Sequence, residues 1–290
     1  MVKERHLGYL YLLPTIVILC LVSIFPLIYA LNLSFHRWDN FAQVIGKFVG
    51  FKNYHRLLFR DPRFWNSFKN SFVLWAVAGG AQIFLGFLVA ILINREFFLH
   101  RVVKAVILLP MLVLPVGAAH MWSLIFNPLF GPANYLLRLL SLPSVNWLGD
   151  PRVALTSIVI ADVWQWMPFC CLIMYAGLQG IPLSVYDAAK VDGAGAWQTT
   201  FAIIAPLLKR VFLVVILFRS IDLFRIFDVI YVLTSGGPGN ATETMPFYTY
   251  ILGFKRFDLD RAAALSFLLV IIVSVISFVF ISRVERRSGR

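Results

Sequence analysis

Long apolar runs alternate with shorter polar and basic stretches along the whole chain. A helix of about 20 residues crosses the roughly 30 Å hydrocarbon core of a bilayer, and six of the runs reach that length. The pattern therefore predicts an all-α polytopic membrane protein, with a single transmembrane domain over residues 1–290. The six predicted spans are about Tyr9–Phe35, Phe72–Asn94, Val102–Phe126, Ala154–Leu178, Leu207–Thr234 and Ala262–Ser282.

Prolines lie inside several of these runs, at Pro110, Pro115 and Pro168. A proline removes a backbone hydrogen bond, and in a membrane the freed carbonyl must be satisfied by neighbouring protein. We therefore expect kinked helices that pack against one another. Between the spans, Asp61-Pro62 predicts a turn, and the proline-rich segment 127–152 predicts an irregular stretch with one short helix.

Composition supports a membrane protein. The chain is 60% hydrophobic, with a mean hydropathy of +0.81, which is more apolar surface than a water-soluble domain can bury. The formal charge of +12 could indicate a nucleic-acid partner, but the basic residues flank the apolar runs, where anionic lipid headgroups attract them. Cys20, Cys170 and Cys171 lie within apolar runs and are expected to act as small hydrophobic residues.

The sequence lacks the residue patterns of an enzyme. It contains no Gly-x4-Gly-Lys-Ser/Thr phosphate-binding loop, and its five histidines do not have metal-ligand spacing. No nucleophile and general base form a plausible set. We therefore predict no catalytic activity, no metal and no cofactor in this chain, and ATP hydrolysis, if used, must take place on a partner subunit.

The longest polar segment between two predicted spans runs from Pro182 to Pro206. Ser184 is a predicted N-cap residue, and Asp187, three residues later, would complete a capping box. Asp192-Gly193 predicts a turn, because glycine tolerates a positive φ. The segment should therefore begin with a short helix that ends at this turn.

A second helix is predicted after the turn. Trp197, Phe201 and Ile204 are spaced i, i+4, i+7, which places them on one helical face, and Pro206 should stop or kink the helix. The segment is thus a predicted helix–turn–helix at the membrane surface. On composition alone, an ordinary amphipathic loop is an equally good interpretation.

The spacing in this segment resembles the "EAA" loop of ABC-importer permeases. Asp187-Ala188-Ala189, Gly193, Ile203 and Pro206 match that pattern in register, while Asp187 replaces its glutamate and Ala205 its leucine. The resemblance implies the type I ABC-importer permease fold, a cytoplasmic coupling loop at 182–206 and cytoplasmic termini. The residues that it assigns to contact with the ATPase are Asp187, Ala188, Ala189, Asp192, Gly193, Ile203 and Pro206.

Charged residues inside the predicted spans are candidates for a solute site. Arg219, Asp222, Arg225 and Asp228 follow one another at intervals of three in the fifth span, so neighbouring opposite charges can pair along the helix. Ionised groups near mid-membrane are unfavourable and usually face a polar cavity or a partner in the bundle. Either interpretation stays open here: a solute site, or an ion-pair ladder that holds helices or subunits together.

Aromatic residues accompany a carboxylate in the fourth span. Asp162, Trp166 and Phe169 share one helical face, and Trp122 lies toward the outer end of the third span. A sugar site needs polar groups for hydroxyls and aromatic faces for the ring, although tryptophans are more often core residues. The candidate solute-binding residues are Trp122, Asp162, Trp166, Arg219 and Asp222.

The runs at 164–194 and 217–242 resemble the carbohydrate-uptake branch of these permeases, of the F-type partner. The resemblance implies a multi-pass protein of the bacterial inner membrane that carries a sugar-like solute. It also implies a second homologous permease, two cytoplasmic ATPase subunits and an external solute-binding protein. An importer of another solute class and an ion-coupled carrier remain alternatives, and an anionic solute stays open.

Overall fold

The computed structural model describes residues 4–42, 44–94 and 98–285. Helices dominate this part of the chain, which confirms the all-α prediction. The two termini, which are predicted to be cytoplasmic, lie outside the described residues. A short two-stranded hairpin within the segment 36–48 was not predicted.

The elements of the first half form the following series. In chain order they are α1 (Glu4–Leu19), a π-helical segment (Cys20–Ile24), α2 (Phe25–Ser34), β1 (His36–Asp39), β2 (Val44–Phe48), α3 (Lys52–Arg60), α4 (Pro62–Ile93), α5 (His100–Leu112), α6 (Pro115–Ile125) and α7 (Pro132–Leu139). Helix α7 is the one short helix expected in segment 127–152. The hairpin is antiparallel and pairs His36 with Phe48 and Asp39 with Val44.

The second half of the chain, as far as residue 285, is helical wherever it is regular. It contains α8 (Ala154–Gln179), α9 (Leu183–Val191), α10 (Ala196–Gln198), a π-helical segment (Thr199–Ile204), α11 (Ala205–Leu207), α12 (Lys209–Phe224), α13 (Asp228–Leu233), α14 (Met245–Tyr250), a π-helical segment (Ile251–Lys255) and α15 (Leu259–Glu285). Among the described residues, four helices are long and apolar enough to cross a membrane, or six if each of two bent pairs forms one span.

The third predicted span is one of the bent pairs. Helices α5 and α6 meet at 98°, and Pro115 occupies the first turn of α6, as the prolines in this run predict. The break leaves the Val113 carbonyl outside a regular helix. Gln165 of α8 donates a hydrogen bond of 2.9 Å to this oxygen, which satisfies it within the protein.

Two other predicted spans differ from the observed helices. Helix α4 begins at Pro62, ten residues before the predicted start, because Asp61 Oδ1 accepts hydrogen bonds from the Arg63 and Phe64 amides at 3.0 and 3.3 Å. The Asp61-Pro62 pair therefore starts a helix, with Asp61 as its cap. The fifth predicted span is interrupted, since α12 ends at Phe224 and α13 begins at Asp228.

Contacts divide the described chain into two compact units. The first comprises the described parts of Met1–Phe64 and Tyr248–Val270, and the second those of Trp65–Phe247 and Ile271–Arg290. In the second unit, α4 and α8 approach so closely that a Cβ added at Gly86 would lie 2.8 Å from Cys170 Cβ. Cys170 and Cys171 are fully buried there as small core residues, as predicted.

Candidate functional site

A buried polar cluster links three helices of the second unit. Arg219 of α12 is only 2% exposed, and each of its three guanidinium nitrogens donates a hydrogen bond. Nε donates to Gln82 Oε1 at 2.8 Å, Nη2 to Asp162 Oδ2 at 3.2 Å, and Nη1 to Asp222 Oδ2 at 3.3 Å. A buried guanidinium requires such pairing, because an isolated charge is strongly unfavourable in an apolar interior.

Gln82 of α4 completes this cluster and was missed from the sequence. Its Nε2 donates to Asp162 Oδ2 at 2.6 Å and to the Asp162 carbonyl at 3.1 Å, so one amide orients both members of the ion pair. Gln82 is fully buried. The available signal was that Gln82 is the one amide in the apolar stretch 72–93, since polar side chains at membrane depth usually bond to another helix.

A cavity of about 370 Å³ opens beside the cluster. The Arg219 Cζ atom lies 5.3 Å from the centre of the Trp166 ring, so a cation and an aromatic face adjoin one another at the wall. The structure thus brings together four of the five predicted solute-binding residues. The lining consists of Pro115, Asp162, Trp166, Arg219, Asp222, Arg225, Ile226, Phe227, Asp228 and Val229.

Trp122, the fifth predicted residue, does not line this cavity. Its ring contacts those of Phe126 and Trp164, with centroids 5.0 and 5.8 Å apart. Its Nε1 is buried without a hydrogen-bond partner among the described residues. Phe169 likewise packs against Trp166 and Phe218 and is absent from the cavity lining. Position in a span predicts depth, but the side chains around a residue depend on helix rotation.

The predicted ladder of four charges forms only in part. Arg219 and Asp222 pair along α12, whereas Arg225 follows the end of that helix and Asp228 begins the next. The break at residues 225–227 interrupts the regular three-residue spacing. Arg225 and Asp228 instead line the cavity, so the interruption of the span adds two charged groups to the wall.

Helix α9 begins the candidate coupling loop, but not by the predicted capping box. It starts at Leu183 with Pro182 in the N-cap position and no side-chain cap. Ser184 is already inside the helix, where its backbone is helical and its hydroxyl cannot cap the end. Asp187 forms an exposed ion pair with Lys190, at 3.3 Å between Oδ1 and Nζ.

The predicted turn at Asp192-Gly193 is confirmed. Gly193 has φ = +73°, and the Ala194 amide donates to the Ala189 carbonyl at 2.9 Å, a bond that closes the end of α9. An added Cβ at Gly193 would meet no atom of the described residues within 4 Å. The glycine is therefore required by its backbone conformation rather than by crowding within this chain.

A continuous helix over residues 196–207 follows the turn, and it bends by 71° into α12 two residues after Pro206. Ile204 is buried and Phe201 packs against the Phe87 ring at 6.0 Å, but Trp197 is 73% exposed. The π-helical segment Thr199–Ile204 alters the predicted i, i+4, i+7 face. Of the predicted ATPase-contacting residues, those exposed are Asp187, Ala188, Asp192, Gly193 and Pro206, while Ile203 is half-buried and Ala189 buried.

The chain is similar to known transport proteins over nearly its whole length. Residues 82–288 match the family described as "Binding-protein-dependent transport system inner membrane component". The trehalose/maltose transport system permease protein MalF of Thermococcus litoralis is 37% identical over 280 residues, which are 96% of this chain and 93% of that protein. The trehalose transport system permease protein SugA of Mycobacterium tuberculosis is 34% identical over 96% of this chain and 88% of that protein.

A solved structure shares the fold. A chain of a bacterial ABC transporter involved in the import of the acidic polysaccharide alginate superposes with a TM-score of 0.85 at 23% identity, covering 98% of this chain and 97% of that one. The predicted family resemblance and importer-permease fold are thus confirmed. The chain therefore belongs to the family of binding-protein-dependent transport system inner membrane components, as an integral membrane permease of an ABC importer that works with an ATPase and a solute-binding protein.

Proposed function

We propose that this permease carries an uncharged sugar-like solute through the cavity beside Arg219. The observation that carries the proposal is the combination of a buried hydrogen-bonding cluster with an aromatic wall at one cavity. Asp162, Arg219 and Asp222 offer donors and acceptors for hydroxyl groups, and Trp166 offers a face for a sugar ring. The volume of about 370 Å³ falls within the roughly 300–1,000 Å³ typical of small-molecule sites.

The charges on the cavity wall favour a neutral solute over an anion. The cavity wall contains three carboxyl groups, those of Asp162, Asp222 and Asp228. It contains two guanidinium groups, those of Arg219 and Arg225. Arg219, the most buried of them, is already bonded to two of the carboxylates. The wall therefore has no excess positive charge with which to compensate an anionic solute that leaves water.

The segment 183–207 is proposed to dock on the ATPase. Leu183, Val191 and Trp197 are 79%, 87% and 73% exposed, and such apolar side chains favour burial against a partner. The open space around Gly193 lets another chain approach the turn closely. In this arrangement the segment is cytoplasmic, the ATPase is present in two copies, and a second homologous permease completes the membrane pore.

Helices α8 and α12 connect the two proposed sites. Helix α8 carries Asp162 and Trp166 and ends just before the coupling segment, and α12 begins just after it and carries Arg219. Movement of the coupling segment would therefore be transmitted to two helices that hold the solute. Two packed states of similar energy, biased by nucleotide and solute, are sufficient for alternating access.

Transport in proteoliposomes tests the solute class. The permease is reconstituted with its partner permease, ATPase and solute-binding protein, and uptake of a neutral disaccharide is compared with that of the same disaccharide carrying a carboxylate. We expect ATP-dependent uptake of the neutral sugar and at least tenfold slower uptake of the acid. Equal uptake of both compounds would contradict the proposal for a neutral solute.

The same preparation separates the alternatives. Uptake of an unrelated solute class, such as a peptide or an oxyanion, with no uptake of sugars would contradict the sugar assignment while leaving an ATP-driven importer. Sugar uptake that persists with an ATPase subunit inactivated in its phosphate-binding loop would instead indicate an ion-coupled carrier. The docking of segment 183–207 is measured separately, by crosslinking from a cysteine placed at Val191.

A further inference from the structure

A second cavity, of about 210 Å³, lies within the first compact unit and is strongly polar. It shares no residue with the cavity beside Arg219. We refer to it as the arginine cleft, after the four arginines in its wall. The charged residues that line it are Arg37, Arg56, Arg256, Arg261, Asp258 and Asp260.

The arginine cleft carries an excess of positive charge. Arg261 is paired with Asp258, to which its Nε donates at 2.6 Å. Burial raises the pKa of Asp258, but hydrogen bonds with Arg261 and Asp260, together with the charge of Arg261, outweigh burial, and the pKa lies below its ordinary value of 3.8. Even with both carboxyl groups ionised, four guanidinium groups leave two positive charges unbalanced.

Three of the arginines are free to bind a ligand. Within the described part of the chain, Arg37, Arg56 and Arg256 make no ion pair and no side-chain hydrogen bond. They come from three separate segments, namely β1, α3 and the residues that follow the last π-helical segment. Planar guanidinium groups converging on one small cavity match the geometry of a phosphate, which accepts bidentate hydrogen bonds.

The backbone that presents Arg256 has an unusual conformation. The Arg256 amide donates to the Ile251 carbonyl at 3.0 Å and the Asp258 amide to the Leu252 carbonyl at 2.8 Å, which close the π-helical segment. Phe257, between them, has φ = +54°. Such a conformation is an outlier for a bulky residue, and strained residues of this kind concentrate at ligand sites.

The positions of the cleft residues at the ends of membrane-length helices indicate that the ligand is a lipid. Arg37 lies three residues after α2 ends, and Arg261 lies in the first turn of α15. The two apolar spans that contain these helices are only 6% and 11% buried, which is the exposure of helices that face lipid. Arginines at the ends of such helices lie at the height of the phospholipid headgroups.

Exposed aromatic side chains support the same position. Phe257 lines the cleft and is 64% exposed, and Phe41 and Phe48 of the neighbouring hairpin are 102% and 70% exposed. Aromatic rings are typical of the interface between hydrocarbon and water. We propose that the arginine cleft binds the phosphate group of an anionic phospholipid, with Arg37, Arg56 and Arg256 as its ligands.

Native mass spectrometry of the assembled transporter in detergent tests the proposal. Short-chain phosphatidylglycerol, phosphatidylcholine and inorganic phosphate are titrated separately onto the complex. We expect phosphatidylglycerol to bind at least tenfold more tightly than either of the others. The Arg37→Gln/Arg256→Gln variant should bind phosphatidylglycerol at least tenfold more weakly. Arg60 is an exposed arginine of α3 outside the cleft, so Arg60→Gln should leave the affinity unchanged.

Each other outcome overturns the proposal. Equal affinity for the two phospholipids, or unchanged phosphatidylglycerol binding in the double variant, would mean that the cleft does not select an anionic lipid. Tighter binding of inorganic phosphate would assign the cleft to a soluble anion. Unchanged lipid binding with weakened capture of the solute-binding protein would assign it to a protein contact. If the double variant fails to assemble, Arg37→Gln alone is measured in the same way.

Discussion

Two ion pairs in this permease have the same local geometry, but their cations have opposite surroundings. Arg219–Asp222 in α12 and Lys190–Asp187 in α9 each join residues three apart, and each has a nitrogen–oxygen distance of 3.3 Å. The side chain of Arg219 is 2% exposed, whereas that of Lys190 is 78% exposed. Among the described residues, only the buried cation has further partners, in Gln82 and Asp162.

The difference teaches that spacing predicts a contact but not its energy. In water, an exposed pair gains little because solvent and salt screen the charges. Inside the bundle, the same contact belongs to a network in which every member depends on the others, since removal of one leaves a buried charge unpaired. Through Gln82 and Asp162, the Arg219 network is therefore expected to hold α4, α8 and α12 in place, whereas the exposed pair leaves α9 free to adapt to a partner.

The largest expected effect is the removal of the buried cation. Arg219→Leu leaves Asp162 without its cation and should lower the free energy of unfolding by about 3–5 kcal/mol. Thermal unfolding of the detergent-solubilised complex measures this change. Arg152→Leu, at an exposed position, is the control and should change stability by less than about 0.5 kcal/mol. Equal effects of the two variants would show that the cluster does not stabilise the fold.

Removal of the bridging amide should have a smaller effect. Gln82→Leu keeps the ion pair but leaves Arg219 Nε without a partner and removes one of the two hydrogen bonds that Asp162 Oδ2 accepts. A decrease of about 1–3 kcal/mol in the free energy of unfolding is therefore expected. A double-mutant cycle with Arg219→Leu should be strongly non-additive, because both residues belong to one network. If the two decreases in the free energy of unfolding were additive, Gln82 and Arg219 would stabilise the bundle independently.

The turn of the coupling segment is the next test. Gly193→Val forces a β-branched residue into the left-handed region of backbone conformation, which costs about 1–2 kcal/mol or more. We expect membrane insertion to persist and ATP-driven uptake to be lost, as measured in proteoliposomes. Gly195→Val is the matched control for backbone strain, because Gly195 has φ = −66° and also has open space at its Cβ position. Normal uptake by Gly193→Val would contradict the coupling role of this segment.

The exposed ion pair should give the smallest effect. Lys190→Ala is expected to change the free energy of unfolding by less than about 0.5 kcal/mol, and a cycle with Asp187→Ala should give a coupling of at most about 1 kcal/mol that declines in high salt. The measurement is thermal unfolding at two salt concentrations. If Lys190→Ala lowered the free energy of unfolding by several kcal/mol at both salt concentrations, the Lys190–Asp187 pair would be buried in the assembled transporter. The contrast with Arg219 would then be wrong.

The amino-acid sequence by itself determined the helical class, the turn at Gly193 and the presence of a helix on each side of that turn. These features depend on local physics, since the length of an apolar run predicts a span and a glycine permits a positive φ. The same local rules were insufficient for Ser184, because α9 begins two residues earlier than its predicted cap requires, at Leu183, with Pro182 in the N-cap position. Local signals thus identify an element better than they identify its end.

Tertiary structure alone decided which polar groups of different helices meet. Gln82 is 80 residues from Asp162 and 137 from Arg219, and no local pattern specifies that their helices pack side by side. Trp122 is a second example. Its position in the third span was compatible with the solute cavity, but its ring contacts Phe126 and Trp164 instead. A buried polar side chain is stable only with a partner, and that partner depends on how helices rotate and cross, which nonlocal packing determines.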